Sequence, residues 1–483
     1  MDISAKSQEQ RVGIIDIGSN SVRLVIYDVA CGLWHTLFNE KAACGLGKSL
    51  RETGMLDKQG MAAAEQAIQR FITIANAYQA KPLYAVATEA VRSATDGQAF
   101  VDYLSVTHNI SVDVISGEEE GYYSALGVTT VMPNASGICA DLGGSSLELI
   151  ALTAYGIGER VTLPCGVLSL SSFSSPKQAE NYLEQHLQRI TIDVPRDKTL
   201  YAVGGSWRSL ARYHQKTTNY PLDQAHYYRL STEQLLPTLQ HLQKMAGEPH
   251  KKLAGVSKAR TALMPNAALV MAMLTQQYGL KHVIFSGYGL REGYLTEQLP
   301  NLPEKTAHSP LKGEISAYTL ARNSATVDAV ALQTWLSPLF PTMQPERLEA
   351  ACLLSNIAMF ESSDHRAFLA FQAILHAPFA TLPHEERAFL ALAIFVRYAG
   401  KHEPMITTAA LSLLSPEDVN IALKLGLALR LAKTITGRQD DLLEYAPIKC
   451  ITGKKLIIDF IQPQQIMGNE TIAQRLESLQ KAL

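Results

Sequence analysis

Six cysteines, Cys31, Cys44, Cys139, Cys165, Cys352 and Cys450, are scattered through the 483 residues, and no two form a CxxC pair. That excludes a zinc-finger or disulfide framework and fits reduced thiols in a cytoplasmic protein. The opening segment MDISAKSQEQR lacks the apolar run of a secretory leader. Long hydrophobic runs are missing too. The longest uncharged stretch, Thr261 to Leu280, is interrupted by Pro265, Asn266, Gln276 and Gln277, which suits a buried helix and not a membrane span. Neither charge sign dominates: the formal net charge is −2. The overall field therefore draws in no polyanion, nucleic acid is not an expected partner, and an anionic substrate must meet a local basic surface.

What remains is an ordinary globular composition, with 47% hydrophobic and 18% charged residues. The length exceeds what one core serves, so three domains are expected, at 1–130, 131–302 and 303–483. In the first, VGIIDIG, SNS and VRLVIYDV read as a buried strand, a turn and a second strand. Helical periodicity over 57–79, a strand at 82–88, a helix to about Thr107, a strand at 111–116 and a helix opening at GEEEG follow. The pattern then restarts. GICADLGGSSLELIAL (137–152) lies on GIIDIGSNSVRLVI with Asp141 on Asp16, Gly143 on Gly18 and Ser146 on Ser21, which points to internal duplication. Polar, proline-containing NLPEKTAHSPLKGE (301–314) reads as a linker. Amphipathic helices are expected beyond it, at 347–360, 366–376, 384–399 and 417–435, with a small strand pair near 447–460.

Four features carry chemistry. The turns Asp16-Ile-Gly-Ser-Asn-Ser21 and Asp141-Leu-Gly-Gly-Ser-Ser146 each follow an apolar strand. Successive backbone N–H groups in such turns form anion-binding nests, and two facing nests could grip a phosphate chain. Either turn alone would serve equally as a plain hairpin. Asp141 and Glu148 can meet at the mouth of one hairpin and suit Mg²⁺ held together with phosphates, unless Glu148 faces solvent on an alternating strand. Gly117-Glu118-Glu119-Glu120-Gly121 opens a helix, where acidic residues are explained by the helix dipole alone. One of the three could instead activate a water, and position does not say which. Arg92 follows a strand; its planar fork matches phosphate oxygens, as it also matches a surface carboxylate.

Seven segments in order, VGIIDIGSNSVRLVIYD, YAVATEAVRSA, VISGEEEGYYSALGV, GICADLGGSSLELI, LPCGVLSL, YAVGGSWRSLA and IFSGYGLREGYL, resemble the exopolyphosphatase/guanosine pentaphosphate phosphohydrolase family of the actin, sugar-kinase and heat-shock chaperone superfamily. The resemblance implies two duplicated actin-like, ribonuclease H-like α/β domains followed by a mostly helical HD-like domain. It implies Glu119 as general base and Arg92 as a phosphate-contacting arginine. Gly18, Ser19, Asn20, Ser21, Gly143, Gly144, Ser145 and Ser146 become phosphate-loop residues, and Asp141 and Glu148 Mg²⁺ partners. Ser145 replaces a glycine of the family pattern, which raises a question of loop geometry because serine resists positive φ. Gly204-Gly205 and Gly287 match the superfamily's adenosine-side turns. The implied reaction is Mg²⁺-dependent release of orthophosphate from linear polyphosphate, or hydrolysis of guanosine pentaphosphate, by a cytoplasmic homodimer. A kinase acting on an organic hydroxyl and a non-catalytic polyphosphate sensor remain as alternatives.

In the helical region Asn356 stands where an HD fold would place its aspartate, and Asp364-His365 has the reversed order, so no second metal site is expected there. His376, His384 and His402 read as packing or surface residues. Arg366, Arg387, Arg397, Lys401, Arg430 and Lys433 are candidates for a basic channel or dimer surface.

Overall fold

The computed structural model describes residues 10–30, 33–195, 197–247, 252–299, 310–322, 324, 327–451, 455–461 and 469–482. The chain divides into two compact units, Met1–Leu302 and Pro303–Leu483. The segment MDISAKSQE, Cys31 and residues 301–309 of the expected linker lie outside the described residues, and residues 310–314 begin a helix, Pro310–Ala321. Among the described residues no helix is long and apolar enough to cross a membrane.

The first unit is built on two sheets. The first contains β1 (Gln10–Ile17), β2 (Ser21–Ala30), β3 (Leu33–Ala43), β4 (Leu83–Ala87) and β5 (Val112–Val114), in the order β3-β2-β1-β4-β5. The second contains β6 (Gly137–Leu142), β7 (Leu147–Thr153), β8 (Gly156–Leu163), β9 (Thr199–Val203), β10 (Arg229–Ser231) and β11 (His282–Phe285). Its order is β10-β11-β9-β6-β7-β8. Without the edge strand β10 the two orders are the same. In each, an antiparallel three-stranded meander is followed by two parallel strands. The apolar runs of β1 and β6 are almost wholly buried, as expected for the central strand of a sheet covered on both faces. The duplication read from the sequence is thus present in register: Asp16 faces Arg23 across the first hairpin as Asp141 faces Glu148 across the second. These are two duplicated actin-like α/β domains.

Two helices that follow the last repeated strand of each half, Gly117–Val131 and Leu290–Gln298, press against each other. A Cβ on Gly293 would lie 1.8 Å from the Tyr123 carbonyl oxygen, and one on Gly127 2.1 Å from that of Gly289. Only glycine allows this approach. Tyr27 on β2 donates a buried hydrogen bond to Glu292 (2.6 Å), and Tyr294 donates to Asp113 on β5, so the last helix of the unit is anchored in the first sheet.

The second unit is mostly helical, with helices at Ala329–Leu336, Pro345–Leu354, Arg366–Leu375, Pro404–Leu411, Pro416–Ile435 and Glu470–Ala482 around His384–Ala399. That central helix is buried on every face from Arg387 to Arg397, not amphipathic. β12 (Ile448–Ile451) and β13 (Lys455–Ile458) form the small antiparallel pair. Arg387 does not contribute to a basic surface. It is fully buried and donates to the carbonyls of Leu382, Ala377 and Phe379, which tie off a neighbouring loop.

Candidate active-site cleft

Each hairpin turn is closed in the same way. Gly18 N–H donates to the Ser21 carbonyl and Gly143 N–H to the Ser146 carbonyl, both at 3.0 Å. The two turns touch: the Ser145 hydroxyl donates to that of Ser19 at 2.8 Å. Ser145 is not among the residues with positive φ, so the glycine its position has lost is not required by the backbone, and its side chain supplies the bridge. Gly166 supports the second turn from behind, where a Cβ would stand 2.3 Å from the Gly144 carbonyl oxygen. The N–H groups of Ser19, Asn20, Gly144 and Ser145 donate to no protein acceptor among the described residues. All eight expected loop residues line one cleft of about 490 Å³ between the two α/β domains.

Acidic groups line the cleft. Asp16, Glu89, Glu120 and Asp141 line the cleft, with Glu148 beside Asp141. Burial raises the pKa of Asp16 and of Asp141, although Ser124 donates to the Asp141 carboxylate. Glu148 is 1% exposed, and neither of its carboxylate oxygens has a hydrogen-bond partner. Burial, with Glu120 and Asp141 nearby, pushes its pKa well up. Glu120 is brought there by the glycines on either side of the glutamates. A Cβ on Gly117 would lie 2.4 Å from Thr162 on β8, and one on Gly121 3.3 Å from Ile150 on β7, so the helix start sits directly on the second sheet. Burial raises the Glu120 pKa to about 8 despite Arg92, with Asp141 adding to the rise.

Glu119 is placed elsewhere. Its carboxylate accepts from the Ser116 N–H (2.7 Å) while its own N–H donates to the Ser116 hydroxyl (3.1 Å), a complete capping box. These bonds lower its pKa. The residue is exposed and does not line the cleft. Glu292 fills the same third position in the corresponding helix of the second half, where it accepts from the Gly289 N–H at 3.0 Å. Arg92 is also outside the lining. Its guanidinium holds Glu120 (3.2 Å), Glu89 and the Ile115 carbonyl, so it positions carboxylates.

The lining also holds five cations: Arg23, Lys41, Arg208, Arg260 and Arg291. Burial and the neighbouring cations Arg291, Arg23 and Arg260 push the Arg208 pKa down to about 10. Burial, then Arg260 and Arg23, lowers that of Lys41. Arg291 pairs with Asp16 at 3.5 Å. Sequence reasoning passed over these five. Arg208 and Arg291 stand inside YAVGGSWRSLA and GLREGYL, segments whose glycines are the more conspicuous signal, and Arg23 occupies the duplicated counterpart of Glu148. Among the described residues no group of three or more His, Cys, Asp or Glu forms a ready metal cage.

A cleft between duplicated actin-like domains, lined by free N–H groups, carboxylates and cations, is the candidate site of a protein of that superfamily. The Ppx/GppA phosphatase family model matches residues 25–302, and the model for the exopolyphosphatase C-terminal region matches residues 342–482. The chain belongs to the Ppx/GppA phosphatase family. It is 25% identical over 308 residues to Exopolyphosphatase 2 of Mycobacterium tuberculosis, covering 59% of this chain and 97% of that protein. It is 23% identical over 308 residues to the guanosine-5'-triphosphate,3'-diphosphate pyrophosphatase of Pseudoalteromonas atlantica, covering 61% of this chain and 60% of that one. The crystal structure of the Aquifex aeolicus Ppx/GppA family member superposes with a TM-score of 0.54 at 25% identity, over 62% of this chain and 99% of that chain. An exopolyphosphatase structure from Cytophaga hutchinsonii gives 0.53 at 25%, over 60% and 98%.

Proposed function

We propose that this protein is an exopolyphosphatase: it hydrolyses the terminal phosphoanhydride bond of linear polyphosphate and releases orthophosphate. The observation that carries the reading is the contact of the two turns through Ser19 and Ser145, which leaves both sets of free N–H groups facing one space shared with Glu120. In this reading the N–H groups and Arg208, Arg260 and Arg291 hold the phosphate oxygens. Glu120, not Glu119, orients a water and takes its proton as the water oxygen bonds to phosphorus. The bridging P–O bond breaks, and its electron pair leaves with the shortened chain. Such catalysis is chiefly positioning and electrostatics.

The partnerless buried oxygens of Glu148 next to Asp141 fit a magnesium ion. Asp141 and Glu148 would hold it, with phosphate oxygens completing the shell. When bound, such an ion offsets charge on the phosphoryl oxygens. Guanosine pentaphosphate is a second substrate on this reading, favoured by the match to a relative named for guanosine-5'-triphosphate,3'-diphosphate. A cytoplasmic homodimer belongs to the same reading, and sedimentation would measure its state. The test of function is orthophosphate release from long polyphosphate and from guanosine pentaphosphate, each with magnesium and with chelator. Release from neither substrate in the presence of magnesium would sink the proposal.

A further inference from the structure

One carboxylate of the cleft has no part in the proposed reaction. Asp16 pairs with Arg291, Asp141 and Glu148 are the magnesium candidates, and Glu120 is the base. Glu89 lines the same space, where its charge repels a phosphate chain. It is the first residue of the short helix Glu89–Ser93, which the chain enters from β4 through Thr88. An acidic residue suits a helix start. That does not explain what this side chain holds.

Glu89 is pinned at both oxygens. Oε1 accepts from the Ser93 hydroxyl at 2.6 Å, and Oε2 accepts from Arg92 Nη2. Arg92 is divided in turn. Its Nη2 goes to Glu89, while its Nη1 is shared between the Ile115 carbonyl and Oε2 of Glu120 at 3.2 Å. An arginine beside a single carboxylate commonly closes on both of its oxygens with two parallel N–H···O bonds. Here Glu89 occupies the second arm of the fork. Glu120 is engaged at one oxygen, and its Oε1 receives no protein donor among the described residues. A carboxylate clamped at both oxygens by a guanidinium is the weaker base and has less room for a water.

We propose that Glu89 is a positioning residue: by holding one arm of Arg92 it keeps that guanidinium from closing on Glu120 and leaves Glu120 Oε1 open to the attacking water. The assignment rests on the exopolyphosphatase reading of the cleft and names the group that keeps its base available. Glu89 acts through Arg92 and not on phosphorus.

Kinetics and crystals of E89A, E89Q, E120Q and E89A/E120Q test it. In E89A, kcat for orthophosphate release falls about tenfold or more, a part of the roughly 10²–10⁴-fold that general-base catalysis contributes. KM for polyphosphate does not rise, since a negative charge has left the cleft. E89Q keeps an acceptor for Arg92 Nη2 and recovers most of the loss. In the E120Q background E89A costs nothing further, because the group it serves is already gone. In the E89A crystal the Arg92 guanidinium sits on both oxygens of Glu120. Melting temperatures check the fold of each variant, and E89S takes the place of E89A if E89A does not fold. A kcat of E89A within twofold of the parent, an E89Q as slow as E89A, a further fall from E120Q to the double variant, or an Arg92 that keeps its single contact with Glu120 in the E89A crystal would overturn the assignment. The crystal needs no turnover. A parent that releases orthophosphate from neither substrate therefore counts against the proposed function, while the position of Arg92 still decides the role of Glu89.

Discussion

Replacing Glu119 and Glu120 by glutamine, one at a time, changes the same chemical group at adjacent positions with opposite consequences. In E119Q the capping box keeps an acceptor, since glutamine serves at that position. The variant loses only the favourable charge at the helix N-terminus, about 0.3–1 kcal/mol of stability. Turnover should stay within about twofold of the parent. E120Q removes the group proposed to take the proton, and general-base loss lowers kcat by about 10²–10⁴-fold. Stability moves the other way. The folded-state pKa of Glu120 is about 8, above the 4.5 of an unperturbed glutamate. Between these values the folded state binds more protons than the unfolded chain, so the penalty for ionising Glu120 grows as pH rises through that window and is complete above it. Arg92 keeps Glu89 as a partner when Glu120 becomes neutral. E120Q in chelator should therefore unfold at a higher temperature than the parent at pH 9, by an amount on the order of a few kcal/mol, and show a smaller advantage at pH 6. Calorimetry at the two pH values and steady-state phosphate release measure both halves. A dead E119Q with an active E120Q would refute the assignment. An E120Q no more stable than the parent at pH 9 would refute its electrostatic basis.

Gly166→Ala drives a Cβ into the Gly144 carbonyl, so the second turn must move away from the first; KM should rise and kcat fall together, and the melting temperature should drop by an amount equivalent to about 1–3 kcal/mol. Tripolyphosphate at a hundred times its dissociation constant should stabilise the parent by about 2.7 kcal/mol per site. R208Q should need a higher concentration for the same shift in the unit that holds the cleft, and a parent without any shift would contradict the cationic lining as a ligand site.

The architecture was legible because it is written twice. Apolar strand, aspartate, glycine turn and strand recur in register, and the alternating periodicities that follow have one arrangement in common, the β3-β2-β1-β4-β5 order and its repeat. The two turns and their free N–H groups followed from the same pattern, since a nest is a backbone property that glycine and serine announce locally. The charged lining did not. Lys41 and Arg260 are far apart in sequence and from every quoted glycine turn, and only the closing of the two sheets brings them into one cavity. Which of Glu118, Glu119 and Glu120 reaches the cleft was not legible for a related reason. A capping glutamate and a cleft glutamate look alike in sequence, and the distinction lies in which of them the rotation of one helix turns toward β7. The clue available was the flanking pair Gly117 and Gly121, which marks close packing of that helix start on a neighbouring element. In the helical unit, Arg387 could not be told from a surface arginine without seeing the three carbonyls it clamps.

The one departure from the duplication at the strand mouths sets the polarity of the cleft. Opposite Asp16 stands Arg23, whereas opposite Asp141 stands Glu148. Asp16 has Arg291 and Arg23 as neighbouring countercharges; Glu148 has Glu120 and Asp141, which add to its own burial. On the proposed reading Asp141 and Glu148 at the second hairpin would hold a divalent cation, whereas Asp16 at the first already has Arg291 and Arg23 as countercharges. The two positions should respond differently to the same kind of change. R23Q should raise KM for polyphosphate without moving the magnesium concentration that gives half-maximal rate. E148Q should shift that concentration upward by tenfold or more, about 1.4 kcal/mol. It should also make the metal-free protein more heat-stable, because a buried carboxylate with two partnerless oxygens becomes a neutral amide. Rates measured over a magnesium series for the parent and both variants decide the matter. Equal shifts in the magnesium response of R23Q and E148Q would mean that the ion does not distinguish the two hairpins, and the polarity argued from their registers would be lost.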